Sequence, residues 1–233
     1  FVADSTDDNG WDYPIGNKSV FSIQNGQGEF SGIWVRGEGP TLEAISSVAV
    51  GDEVEITGVP GDLYGVAFFD TPIVTIISNG NTVPQAEVLN TQSVNQDAWE
   101  GALVSVVGEV TDAGNQFNEW KIDDGQLLDP DVSTSSCVIN DLGHEAISTG
   151  VVELGAQIRV VGALGYSFSK FKVEPRSASD VTRLGCTDPT YPNYDALAEE
   201  DNGSCASVPG CTDPAADNYD PEATLDDGSC VSC

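Results

Sequence analysis

Two stretches near the C-terminus carry the residue types that disulfide and metal chemistry require. Gly185–Cys205 reads GCTDPTYPNYDALAEEDNGSC, and Gly210–Cys230 reads GCTDPAADNYDPEATLDDGSC. The copies align without gaps and share GCTDP, NYD, an alanine (Ala198, Ala223), an aspartate (Asp201, Asp226) and GSC. Cysteines bracket each copy, Cys186 with Cys205 and Cys211 with Cys230. Closing a loop of about 20 residues in this way stabilises by roughly 3 kcal/mol in the chain-entropy picture.

The bracketed residues are rich in side-chain oxygen. Calcium takes six to eight oxygen ligands from carboxylates, amides and carbonyls, often within one short loop. Asp188, Asn193, Asp195 and Asp201 supply such oxygens in the first copy, and Asp213, Asn218, Asp220 and Asp226 at the same offsets in the second. The spacing is not that of an EF-hand, and the competing reading is that these are turn residues, because Asp and Asn favour turns without metal. Tyr194 and Tyr219 read as packing residues of very small cores. Zinc is disfavoured: no pair of CxxC motifs is present, and the one histidine, His144, is remote in sequence.

Acids dominate the chain. Among 233 residues, 38 Asp and Glu face 8 Lys and Arg, a formal net charge of −30. Residues 185–233 hold 11 of the acids and no Lys or Arg. Such a potential repels nucleic acid and anionic membranes and attracts divalent cations, besides keeping the protein soluble in salt. No apolar run approaches the ~18 residues of a membrane span. Six cysteines imply an oxidising compartment, and a chain beginning at Phe1 reads as a mature form whose leader has been removed. The expected location is extracellular or at the cell surface. Nothing reads as catalytic: His144 has no nucleophile motif around it, no carboxylate pair stands out, and no phosphate-binding glycine loop occurs.

The elements that must position these groups are strands. Short runs rich in Val, Ile, Phe and Trp alternate with Gly, Asp and Asn turns through residues 1–184. Expected strands are 20–24, 32–36, 53–58, 73–77, 103–111, 119–122, 157–163 and 171–174, with helical hints only at 41–48 and 142–148. A second, fainter repeat runs through this region. Ser22-Ile-Gln-Asn-Gly-Gln27 matches Lys121-Ile-Asp-Asp-Gly-Gln126, and Gly51-Asp-Glu-Val-Glu-Ile-Thr-Gly58 matches Gly155-Ala-Gln-Ile-Arg-Val-Val-Gly162. Two related β domains follow, at residues 1–90 and 91–184, then repeats at 185–209 and 210–233.

Phe21-Ser-Ile-Gln-Asn-Gly26, Gly32-Ile-Trp-Val35 and Gly51–Gly58 resemble the OB-fold domains of secreted, nuclease-associated bacterial proteins, as does Tyr166–Ala178 in the second copy. The terminal copies resemble GCTD-type calcium and disulfide repeats of exported Bacteroidetes-like proteins. These likenesses imply an all-β fold: two tandem OB-like β-barrels plus two small disulfide-closed calcium-binding repeats. OB folds often bind single strands through aromatic platforms and a basic groove. Trp34, Trp120, Phe168 and Phe171 are candidate platforms, but at this net charge they read mainly as barrel core despite the nearby Lys170, Lys172 and Arg176.

Pairing the repeat cysteines leaves Cys137 and Cys233, joined either within one chain or between neighbours. The first barrel also looks short of a strand: only Phe1-Val-Ala3 precedes its first loop, where the second has Leu103–Thr111. Either another segment of the chain or a strand from another chain would fill the gap. These leftovers give the expected function: a non-enzymatic structural protein assembling with itself into a fibre or surface layer stiffened by calcium and disulfides. The alternative is an accessory module for adhesion, glycan or nucleic acid attached to a secreted enzyme.

Overall fold

The computed structural model describes residues 2–6, 18–38, 47–63, 65–115, 118–128, 135–140 and 151–231. The chain divides into two units, Phe1–Val181 and Thr182–Cys233. Both helical hints fall almost wholly outside the described residues, as do His144 and Cys233.

The first unit holds two sheets built on one plan. The first comprises β1 (Val2–Thr6), β2 (Lys18–Gln24), β3 (Gly32–Glu38), β4 (Glu53–Leu63) and β5 (Val66–Ser78), in spatial order β1-β2-β3-β5-β4. All neighbours are antiparallel except β3 and β5, which run parallel. The chain then passes through β6 (Glu87–Leu89) and a 3₁₀ turn at Asp97–Trp99 into the second sheet. There β7 (Leu103–Asp112), β8 (Glu119–Asp123), β9 (Cys137–Asn140), β10 (Gln157–Ser167) and β11 (Lys170–Glu174) lie in order β7-β8-β9-β11-β10. Again only the third and fifth strands of the five, β9 and β11, are parallel. The order 1-2-3-5-4 in a small curled sheet is that of the OB fold.

The second barrel closes. β10 returns to β7 as an antiparallel ladder from Gln157↔Glu109 to Ala163↔Leu103. Alternation along β7 directs Val104, Val106 and Val110 inward, where they meet Trp120, Ile122, Ile158 and Val160 in a core with no exposure at Trp120 or Val160. Period-2 alternation of this kind is what a strand with one buried face requires. Gly162 is needed where β10 bends over β11, because a Cβ there would lie 2.3 Å from the Glu174 carbonyl oxygen.

The barrels share an interface. Trp34 is buried there rather than inside its own barrel, packing with Val66, Phe68 and Ala163, and its indole Nε1 donates to the Leu164 carbonyl at 2.9 Å. Leu103 N–H donates to Gln24 Oε1 at 3.0 Å, and Phe30 N–H to the Ala98 carbonyl. Gly101, at φ +71°, lets the backbones touch: a Cβ would stand 2.5 Å from Ile33 N.

In the second unit, β12 (Val181–Gly185) pairs through Leu184 and Gly185 with β13 (Glu200–Asp201), and β14 (Pro209–Gly210) with β15 (Leu225–Asp226), both parallel. Each repeat is otherwise a succession of turns.

Candidate functional site

Disulfides Cys186–Cys205 and Cys211–Cys230 close the two repeats, with Cα atoms 4.7 and 4.8 Å apart. Inside each loop the shared acids form turns on their own backbone. Asp188 Oδ1 accepts from Thr190 N–H at 2.9 Å, Asp195 Oδ1 from Leu197 at 2.9 Å and Asp201 Oδ1 from Gly203 at 2.8 Å. Asp213, Asp220 and Asp226 do the same to Ala215, Glu222 and Gly228. Every one is a side chain accepting from the N–H two residues on, the Asx turn.

The shared asparagines play a different part. Asn193 Nδ2 donates to the Ser204 carbonyl at 2.6 Å while its Oδ1 accepts from Ala206 N–H at 3.0 Å. Asn218 repeats this with Ser229 and Val231, both at 2.8 Å. A neutral amide, with one donor and one acceptor facing a chain segment, clamps the residues that flank the second cysteine. Neither aspartate nor alanine could make both bonds.

Asp195 has a further partner, Arg183 Nε at 2.7 Å. Burial lifts the Asp195 carboxyl, but the Leu197 amide and Arg183 outweigh it and hold the group below the usual carboxylate range. The Thr190 amide and hydroxyl depress Asp188 likewise, and the Ser229 hydroxyl and amide depress Asp227. Gly185 and Gly210 admit these aspartates closely, a Cβ at either lying 3.1 to 3.4 Å from Asp195 or Asp220 Cβ.

The eight residues expected as calcium ligands thus all make local hydrogen bonds within their own repeats. Among the described residues, no three His, Cys, Asp or Glu side chains form a group able to hold a metal. In each of the six shared aspartates Oδ1 accepts from its own backbone in a turn.

Cys137 carries a free thiol within this chain, buried in the second barrel core, where desolvation pushes its pKa far up. Its expected partner, Cys233, lies outside the described residues. Position 137 lies on β9, a four-residue strand buried at every position, which forces the thiol inward.

The candidate stacking groups also separate. Trp120 is core, Trp34 lies between the barrels, Phe171 is half-buried and Phe168 is 62% exposed at the β10–β11 turn, where its φ is +52°. Lys172 is buried and paired with Glu119, and Arg176 with Asp180 at 2.7 Å. Two of the three clustered cations are thereby neutralised within the chain.

The first barrel shows the clearest departure from its twin. Among the described residues no ladder joins β1 to β4, the counterpart of the β7–β10 ladder. Val54 and Ile56 on β4 remain half-buried, as do Ile23 and Val74 beside them, while Phe21, Val35 and Val48 are buried.

No family model matches the chain, and no curated protein matches it significantly. Solved structures do. One is a replication protein A heterotrimer bound to single-stranded DNA, 13% identical with a TM-score of 0.27, covering 78% of this chain and 47% of that one. The chain thus spans about half the length of that relative. Another is a deletion mutant of the single-stranded DNA binding protein from Thermus aquaticus, 13% identical with a TM-score of 0.26, covering 81% of this chain and 94% of that one.

Proposed function

We propose that this protein is a non-catalytic extracellular structural subunit that assembles with copies of itself through its first barrel. The observation that carries the reading is the contrast between two barrels of one topology, one closed by a seven-residue ladder and the other with β4 paired on a single side among the described residues. An unpaired strand edge is a template for a strand from another chain. The two disulfides support an oxidising, extracellular setting. No helix of the described residues is long and apolar enough to cross a membrane.

A net charge of −30 opposes association of like copies. Screening by salt or divalent cations lowers that repulsion, so assembly is expected to rise with ionic strength. Sedimentation and electron microscopy of the concentrated protein across a salt series test this. Filaments or oligomers that grow with salt support it; monomers throughout contradict it.

A second reading, an accessory binding module for adhesion, glycan or nucleic acid, draws on exposed Phe168 with Lys170 and Lys172 nearby. Pairing of Lys172 with Glu119 weakens it for an anionic strand. Single-stranded DNA binding that persists at physiological salt would favour it over assembly.

A further inference from the structure

The geometry points to the outer edge of β4 as the acceptor of an extended strand from a neighbouring copy, laid antiparallel and carrying short β-branched residues at alternate positions. This rests on the assembly reading and adds the chemistry and register of the strand it needs.

The second barrel supplies the template. Gly51–Gly58 matches Gly155–Gly162 position for position, so Val54 stands where Ile158 does, Ile56 where Val160 does and Gly58 where Gly162 does. In the second barrel these three face Gly108, Val106 and Val104 of β7. Ile158 and Val160 are then fully buried, at 0% exposure. Val54 and Ile56 have the same sequence context and the same place in the sheet, yet they are half-buried.

An occupant must therefore place a β-branched side chain opposite Ile56 and another opposite Gly58, with a small residue opposite Val54. Its other side chains lie across from exposed Glu55, between Val54 and Ile56, and exposed Glu53, just before Val54, which select neutral or basic residues because like charges directly opposite destabilise. The ladder is short. A bulge interrupts β4 between Thr57 and Val59, and Pro60 offers no N–H. Proline within a sheet sits on edge strands with its missing donor outward, which agrees with β4 being an edge among the described residues.

The probe is a synthetic peptide of this chain's own β7 segment, Leu103–Gly108 (LVSVVG), extended at its C-terminus by two lysines, the first falling opposite Glu53, and labelled. It is titrated into the whole protein at about 0.15 M salt. Saturable binding that raises the melting temperature is expected. The same peptide carrying V104D and V106D should not bind. Ile56→Lys in the protein, shown folded by circular dichroism, should weaken binding about 10-fold or more. Binding equal to the Asp-bearing control, or unaffected by Ile56→Lys, overturns the inference. Specific binding to a protein that stays monomeric in all salts supports the acceptor edge and contradicts self-assembly. Filaments indifferent to excess peptide keep self-assembly and overturn β4 as its site.

Discussion

Arg183 donates through Nε to Asp195 at 2.7 Å in the first terminal repeat, whereas the corresponding position in the second repeat, 25 residues on, is Val208 and the corresponding acid is Asp220. One repeat holds its central carboxylate against a guanidinium; its twin has a valine there. The two are otherwise built alike, from the bracketing disulfide to the asparagine clamp. This makes the pair an internal control for what a single charge contributes.

Substituting Val208→Arg should supply the missing cation and stabilise the second repeat, while Arg183→Ala should destabilise the first. Partly exposed ion pairs contribute ~0.2–1 kcal/mol. Hydrogen exchange of the Leu197 and Glu222 amides, each bound to the aspartate in question, reads the two repeats separately. Slower exchange at Glu222 in Val208→Arg is the expected result; no change would mean that the arginine cannot reach Asp220.

Crosslinks and turns, rather than metal, should dominate the stability of the second unit. Reduction of Cys186–Cys205 and Cys211–Cys230 is expected to cost roughly 2–5 kcal/mol per bridge, as for other small disulfide domains. Chelator with disulfides intact should leave the melting of this unit unchanged. Calorimetry with EDTA and with reductant in separate runs checks both. A large loss in EDTA alone would assign a structural ion to these loops and contradict this.

Removing the amide clamp should also be felt. Asn218→Asp keeps shape and an acceptor but loses the donor to the Ser229 carbonyl, and Asn218→Ala loses both bonds. Each exposed hydrogen bond is worth about 0.5–1.5 kcal/mol. The alanine variant should thus unfold the second repeat more readily than the aspartate variant, by denaturant titration followed at Tyr219.

A pH dependence is written into the barrel interface. Glu100 Oε1 accepts from Ala67 N–H of β5 at 2.7 Å. Burial raises its pKa to about 7; the Ala67 amide opposes this, and Asp97 and Asp62 add to the rise. A raised acid binds its proton more tightly in the folded state. Its contribution is present below the ordinary value of 4.5, is lost as pH climbs toward 7, and is flat above that. Thermal unfolding of wild type and Glu100→Gln from pH 4 to 9 isolates this group from the other acids. The difference between their melting temperatures should move in favour of the glutamine variant across that window. A constant difference would rule the titration out.

Much of this architecture was readable beforehand, for a physical reason. The eight expected strands all lie within observed ones because alternation and β-branched residues mark half-buried strands directly. β9 escaped because Cys137–Asn140 is only four residues long and buried at every position, so it shows no period. The terminal aspartates stay two-sided for the opposite reason. Asp and Asn are the residues of calcium loops and of Asx turns alike, so type and spacing do not separate the two. Trp34 carried a pattern of burial but no sign of whether it packs within its own barrel or against Leu164 of the other. Distance in sequence between Trp34 and Leu164 left that contact without a local signature.

The central claim is that the β4 edge joins molecules, and Ile56→Lys tests it most directly. Wild type and this variant, both shown folded, are compared by analytical ultracentrifugation and electron microscopy at high concentration and rising salt. Concentration-dependent assemblies in wild type, lost or strongly reduced in Ile56→Lys, are predicted. Equal assembly in both, or monomers in both, would contradict the account.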